Sequence, residues 1–170
     1  MRHISRLALE SLLVAGLCMI FGIPSVHSQS KPVTIDELAK ESEVVAVGKV
    51  TGMRGEWDQN KTRIVTRVTV AVSEYLKGNV GAVMTITSPG GEVDGVGEWY
   101  SHTARFKKDE DVVVFAEKDK KGNFRVAGGE LGKLVVKKDA QTSIERVSPQ
   151  MTLDDFKARV KHAVSVRQEN

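Results

Sequence analysis

Two mainly apolar runs, far apart in the chain, restrict most strongly what this sequence can fold into. The first runs from Val44 to Val50 and the second from Val112 to Ala116, and valine dominates both. Their length and β-branched content predict strands, because a buried helix would need about ten or more residues. A strand that is apolar at successive positions must be covered on both faces. We therefore expect both runs to be central, doubly buried strands.

Shorter segments elsewhere alternate apolar and polar residues, which is typical of strands with one face in water. The longest of these segments extends from Thr62 to Tyr75. Its alternation of apolar and polar residues shifts by one position after Val72, which predicts a bulge near Glu74. Residues 52–61 are polar and are expected to form a loop, and the glycine-rich residues 89–97 an irregular, flexible one. Further strands are predicted at 82–87, 124–127, 133–137 and 143–147.

One helix is predicted on each side of the strands. Thr34 and Glu37 form the pattern of a capping box, which predicts a short helix that ends near Ser42. After a cap at Thr152, apolar residues recur at helical spacing at Leu153, Phe156, Val160 and Ala163. The predicted fold is mostly β: a small OB-like barrel, closed or partly open, with a short N-terminal helix and a C-terminal capping helix.

The start of the chain has the layout of a secretory signal peptide. A positively charged beginning precedes an apolar run from Leu12 to Ile23, and Val26 and Ser28 suit cleavage after Ser28. As a helix this run would span about 18 Å, whereas a bilayer core is about 30 Å thick, so a transmembrane anchor is disfavoured. The predicted ranges are 1–28 for the signal peptide, 29–42 for a leader and the short helix, 43–148 for the barrel, and 149–170 for the C-terminal helix, packed on or beside it.

Cleavage leaves a secreted or periplasmic chain with no membrane association. Cys18, the only cysteine, lies within the apolar run, and Leu17 before it does not suit lipidation. The mature chain therefore has no disulfide, no thiol nucleophile and no cysteine-ligated metal. The net charge of +3 for the whole chain falls to about +2 without residues 1–28 and is spread along the sequence. Nucleic acid is not an expected partner, because binding it needs a clustered basic patch.

The residues that could support chemistry do not form a recognised motif. His102 and His162 are the only histidines after the signal peptide, which is a weak basis for a zinc site, and the acids near 92–98 do not match a calcium loop. Ser88 could serve His102 as a nucleophile, but no Gly-x-Ser-x-Gly elbow is present. We predict no metal, no cofactor and no enzymatic activity. A secreted hydrolase that uses His102, and an envelope structural protein, are the alternatives.

Several short motifs occur in a characteristic order: the apolar run 43–50, a long strand that ends Tyr75-Leu76-Lys77-Gly78, a strand into Gly90-Gly91, and the acidic and valine-rich run 109–115. This order resembles the netrin-like modules, OB-type barrels that include the tissue inhibitors of metalloproteinases, and also a group of bacterial secreted proteins. The resemblance covers about 44–136 and implies an OB-type barrel and an extracellular protease as one candidate partner. Those inhibitors chelate the protease zinc through an N-terminal cysteine, which the mature chain lacks, so no functional residue carries over.

The aromatic residues offer the best candidates for a binding site. Trp57, Trp99 and Tyr100 lie in or beside predicted loops, and Glu92 and Asp94 lie just before Trp99. Large amphipathic rings on loops favour partner contacts, although the same rings could instead fill the barrel ends as core. We predict an exported, non-enzymatic binding module that recognises a protein partner through these residues. No oligomeric state is predicted.

Overall fold

A computed structural model describes residues 33–168, so the predicted signal peptide, its cleavage site at Ser28 and most of the leader lie outside the described residues. The described part contains two α-helices, α1 (Ile35–Glu41) and α2 (Leu153–Gln168), and a short 3-10 helix (Gly129–Gly132). Its strands are β1 (Val44–Trp57), β2 (Ile64–Lys77), β3 (Val83–Pro89), β4 (Gly91–Val93), β5 (Val96–Glu98), β6 (Asp111–Lys118), β7 (Phe124–Val126), β8 (Lys133–Val135), β9 (Lys137–Lys138), β10 (Glu145–Ser148) and β11 (Met151–Thr152).

Five of the strands close into a ring in the order β1-β2-β3-β7-β6, with β6 returning to pair with β1. Neighbouring strands are antiparallel except β3 and β7, which pair in parallel where Ile86 meets Phe124. β8 extends the sheet beside β6, β4 and β5 form a separate hairpin, and β9, β10 and β11 form a small second sheet. This mostly β ring, with one short N-terminal helix and one C-terminal helix, confirms the predicted OB-like barrel.

β1 and β6 are apolar on both faces because each face belongs to a different core. One core fills the barrel interior and receives Val44, Ala46, Val50, Val112, Val114 and Ala116 from these two strands. The other core lies under the two helices and receives Val45, Val47, Val113 and Phe115. Both valine-rich runs are therefore doubly buried central strands, as predicted. Lys49 is the exception within the first run, and its Nζ lies 3.0 Å from a carboxylate oxygen of Asp111.

The helices form by the capping chemistry that the sequence predicts. The Thr34 hydroxyl accepts a bond from the backbone N–H of Glu37, and the Glu37 carboxylate accepts one in return from the Thr34 N–H. Arg159 of α2 donates to Asp36 of α1 at 2.8 and 3.1 Å, which joins the two helices. The apolar stripe of α2, including the fully buried Phe156, covers the sheet. Neither helix in the described range 33–168 is long and apolar enough to cross a membrane.

The bulge predicted near Glu74 is confirmed. Val47 lies opposite Glu74 and Gly48 opposite Val72, so Ser73 is an extra residue on β2. The Ser73 hydroxyl donates to the Val47 carbonyl at 3.1 Å, which gives the bulge a polar partner. Beyond this point the Glu74 carboxylate accepts bonds from two lysines of α2, so the bulge ties the barrel to the helix.

Residues 52–61 do not form the predicted loop. β1 continues through Trp57, which pairs with Ile64 of β2, and only 58–63 form the turn. In that turn the Asp58 carboxylate accepts backbone bonds from the start of the returning chain. The polar residues form a strand because β2 supplies their backbone partners, and a ribbon with exposed faces needs no apolar alternation.

The predicted irregular loop at 89–97 is also wrong, because most of it forms the β4–β5 hairpin. Its turn is Asp94-Gly95, with φ of 52° and 79°. Positive φ at both positions defines the type I′ turn, which matches the twist of paired strands. Gly91 has φ of 135°, and a Cβ there would collide with the Thr66 hydroxyl of β2. Glycine therefore lets the hairpin lie close against β2.

The stability of the docked α2 should depend on pH through Glu74. Bonds from Lys157 and Lys161, both 2.9 Å, hold the pKa of the Glu74 carboxyl below its ordinary value of 4.5. Since the folded-state pKa is the lower one, the stabilisation is complete above about pH 4.5 and disappears as the pH falls through the folded-state pKa. Glu74→Gln should lower the free energy of unfolding at pH 7 by up to about 1 kcal/mol, because the pair is partly exposed. Urea titrations between pH 7 and 3 should show the two proteins converge at low pH. A difference that does not shrink as the pH falls below about 4.5 would contradict this assignment.

Candidate functional site

A cleft of about 390 Å³ opens between the β1–β2 ribbon, the β4–β5 hairpin and the segment that leads to β6. We call it the Trp99 cleft. Buried apolar side chains form its base, and half-exposed or exposed residues form its walls. Its lining includes Met53, Arg54, Val68, Glu92, Trp99, Tyr100, Ala104, Arg105, Phe106 and Lys107. Because the lining is largely apolar, the cleft can accept an apolar side chain.

Trp99 follows β5 directly and is 73% exposed. The residue before it is fixed to the barrel, since the Glu98 carboxylate accepts a 2.7 Å bond from the backbone N–H of Ile64. The Tyr100 hydroxyl donates to the same carboxylate at 3.4 Å, and its ring packs beside Gly90. The indole is therefore presented to solvent between two anchored neighbours. It does not fill the barrel end, which was the alternative for this ring.

The wall of the cleft formed by residues 104–107 alternates inside and outside. Ala104 and Phe106 are buried, whereas Arg105 and Lys107 are exposed. The guanidinium carbon of Arg105 lies 5.5 Å from the centre of the Trp99 ring, a cation–π arrangement. This segment thus contributes both apolar surface and positive charge to the same cleft.

The charges around the Trp99 cleft are unbalanced. Within residues 33–168, no carboxylate lies within ion-pair distance of the Arg54, Arg105 or Lys107 side chains, all of which are exposed. Glu92 is the acidic residue among the lining side chains. The cleft therefore combines an apolar base with a net positive rim.

Three of the five predicted site residues, Trp99, Tyr100 and Glu92, line the cleft. The other two lie apart from it: Asp94 is in the exposed hairpin turn, and Trp57, 38% exposed, ends β1. Sequence reasoning missed Met53, Arg54, Arg105, Phe106 and Lys107. The alternation Ala-Arg-Phe-Lys at 104–107 is a signal that could have identified one wall. Met53 and Arg54 had no such signal, because their segment was predicted to be a loop.

Ser88 and His102, the residues of the hydrolase alternative, both line a smaller cavity of about 190 Å³. The Ser88 hydroxyl is buried and donates to the Ala104 carbonyl at 3.3 Å. The His102 ring is 87% exposed, and its Nδ1 lies 3.5 Å from the Glu130 carboxylate. A nucleophile needs a base within hydrogen-bond reach, and these contacts direct the two side chains to other partners.

Three aspartates outside the cleft form hydrogen bonds within their own turns. The carboxyl groups of Asp58, Asp119 and Asp139 have pKa values below the ordinary range because backbone N–H groups of their own turns bond to them. In the part of the chain that the structure describes, no three His, Asp or Glu side chains come together as a metal site.

Comparison of the sequence with protein-family models gives no match, and a search of curated proteins gives none either. The resemblance to netrin-like modules therefore stays a prediction.

Proposed function

We propose that the protein is an exported, non-enzymatic binding module that recognises a protein partner through the Trp99 cleft. One observation carries this proposal: an indole that is 73% exposed stands beside a largely apolar cleft, on a segment anchored to a closed barrel. A large ring exposed to water gains free energy when a partner covers it, since aromatic side chains bury about 150–250 Å². A rigid barrel fixes the position of what its connecting segments display.

The composition of the cleft supports a protein as the partner. Tryptophan, tyrosine, methionine and arginine are enriched in the centres of protein interfaces, and Trp99, Tyr100, Met53 and Arg105 all line this cleft. The Trp99 and Tyr100 rings contribute large contact areas for little loss of side-chain entropy. The resemblance to netrin-like modules favours an extracellular partner, and a protease remains one candidate.

Trp99→Ala should weaken partner binding by about 2 kcal/mol, which is roughly thirtyfold in Kd, because Trp99 is the expected hot spot. The partner would be captured from the secreted and periplasmic fractions with immobilised mature protein, identified, purified and titrated by calorimetry. The fold should be unchanged, because the indole is exposed. Trp57→Ala is the matched control, since Trp57 is also partly exposed but lies outside the cleft. Equal losses in both variants, or none in Trp99→Ala, would contradict the proposal.

His102→Ala should leave partner binding within about twofold of the parent protein. The His102–Glu130 contact is exposed, and exposed ion pairs contribute about 0–1 kcal/mol. The same variant discriminates against the hydrolase alternative. If the parent protein hydrolyses any ester, peptide or glycoside substrate of a standard panel and His102→Ala abolishes that turnover, the hydrolase is correct.

A further inference from the structure

We infer that the partner presents an acidic segment to the Trp99 cleft, with a large apolar side chain flanked by carboxylates. This inference rests on the proposed binding role of the same cleft and specifies the chemistry of its occupant. It combines three observations: cations without acidic partners, an arginine at cation–π distance from the exposed indole, and the apolar base between them.

The first observation is that three cations share one cleft with a single carboxylate, whereas four other cations of the barrel are each paired. Lys49, Arg67, Arg125 and Lys133 each lie within 3.0 Å of a carboxylate oxygen of a nearby strand or loop. Around the Trp99 cleft, by comparison, three exposed cations face solvent together with the single carboxylate of Glu92. Interfaces place potentials of opposite sign against each other, so a partner with local negative charge fits this rim.

The second observation concerns how Arg105 is held. Its guanidinium carbon lies 5.5 Å from the centre of the Trp99 ring, so the group is held beside the indole. Its N–H donors have no side-chain acceptor among the described residues, so the planar fork stays available for a carboxylate. A segment that placed an apolar side chain against the indole would bring a neighbouring carboxylate to this fork.

The third observation is the apolar base of the cleft, which a ligand with charge alone would not cover. The base of the cleft is formed by buried Val68, Ala104 and Phe106, and Met53 on the rim is 42% exposed. A purely polar anion would leave this apolar surface in water, whereas an aliphatic or aromatic side chain would cover it. The fitting occupant is therefore both apolar and acidic.

A single-stranded oligonucleotide is the main competing occupant, because it also combines rings with negative charge. Binding of that kind uses a groove of cations that follows the phosphate backbone and several rings on which successive bases stack. In the Trp99 cleft one indole is exposed, and the Tyr100 ring is engaged with Gly90 while its hydroxyl bonds Glu98. This arrangement suits one inserted side chain better than a run of bases.

The test is an unbiased selection followed by charge substitution. Random ten-residue peptides displayed on phage would be selected against the mature protein, and enriched sequences should carry Asp or Glu within about three residues of Phe, Trp, Leu or Met. The best peptide and its Asn/Gln counterpart would be synthesised and titrated at low and physiological salt. The amide form should bind at least about tenfold more weakly at low salt, and the difference should shrink as salt screens the charges.

Protein variants locate the charge effect. Arg105→Gln and Arg54→Gln should each weaken the acidic peptide about five- to tenfold and leave the amide peptide nearly unchanged. Arg105→Lys should bind the acidic peptide more tightly than Arg105→Gln does, because lysine keeps the positive charge. Lys107→Gln should weaken binding more than Lys120→Gln, the control, because Lys120 is also exposed but lies in the β6–β7 turn and does not line the cleft.

The outcomes separate this inference from the proposed function. The selected peptides could instead be neutral, fail to bind Trp99→Ala and bind the arginine variants as well as the parent protein. That result would overturn the inference of an acidic segment but would support the Trp99 cleft as the binding site. Acidic peptides that bind Trp99→Ala as well as the parent protein would contradict the proposal that the Trp99 cleft is the binding site. A failure to enrich any peptide, or tighter binding of a twelve-residue oligothymidylate than of the best acidic peptide, would also overturn the inference.

Discussion

Replacement of Phe156 by alanine is expected to lower the free energy of unfolding by about 3–5 kcal/mol. The side chain is fully buried in the core under the helices, where its ring meets that of Phe115 edge to face at 5.9 Å and 77°. Such a change removes the apolar area of a whole ring, and the sheet beneath cannot collapse onto the space. The aromatic pair adds roughly 0.5–1.5 kcal/mol beyond the area effect.

Urea unfolding of the protein, followed by circular dichroism, would measure the Phe156 effect. Val166→Ala is the matched control on the same helix, since Val166 is 39% exposed, and it should change stability by no more than about 0.5 kcal/mol. An effect of Phe156→Ala as small as the control would mean that α2 does not pack on the sheet in solution. A lower m value would instead indicate that α2 separates before the barrel unfolds.

Elements that are decided by their own residues could be predicted from the sequence. The valine runs have no polar position that could face water except Lys49, so their double burial follows from composition alone. The stripe that contains Phe156 repeats with the helical period, and Thr34 with Glu37 can satisfy one another locally. In each case the residues that determine the element lie within a few positions of one another in the sequence.

Features that depend on distant partners could not be predicted in the same way. The end of β1 is a strand because β2 pairs with it as far as Trp57↔Ile64, and nothing in the polar segment itself indicates this. The Asp94-Gly95 turn did carry a hairpin signal, which the surrounding glycines obscured. Glycines at 90 and 91 serve close packing against other elements rather than irregularity.

The Trp99 cleft shows the same limit at the level of function. Its walls include residues of β1 and residues 104–107, which lie about fifty positions apart in the sequence, so Arg54 and Arg105 could not be associated before the fold was known. Trp57 and Trp99 look alike in the sequence, since each stands at the end of a strand or beside a turn. Their different positions follow from the anchoring of Glu98 to the N–H of Ile64, a contact between residues 34 positions apart.

Lys133→Met is expected to lower the free energy of unfolding by about 3 kcal/mol, the lower end for breaking a buried ion pair. The Lys133 ammonium lies 2.7 Å from the Glu110 carboxylate, and the two side chains are only 9% and 14% exposed. Loss of the lysine leaves that carboxylate largely desolvated without its charged partner. The double variant Lys133→Met with Glu110→Gln should recover part of the loss, because it removes both charges together.

The exposed pair of Lys49 and Asp111 is the control for this cycle. Its side chains are 51% and 53% exposed, so Lys49→Met should lower stability by about 1 kcal/mol or less. Denaturant titrations of the four proteins in each cycle give the two coupling energies directly. Equal coupling in the two pairs would mean that the Lys133–Glu110 pair is hydrated in solution.

The Lys133–Glu110 pair should also influence the Trp99 cleft, although neither residue lines it. The Lys133 ammonium lies 5.5 Å from the centre of the Phe106 ring, and the Glu110 carboxylate accepts a 3.2 Å bond from the Lys107 N–H. Both contacts fix the wall that carries Arg105. Lys133→Met should therefore weaken partner binding about threefold or more at a temperature where the variant is fully folded. Lys49→Met should not, because its pair lies outside this wall, and an equal loss in the two variants would show that the wall keeps its position without the buried pair.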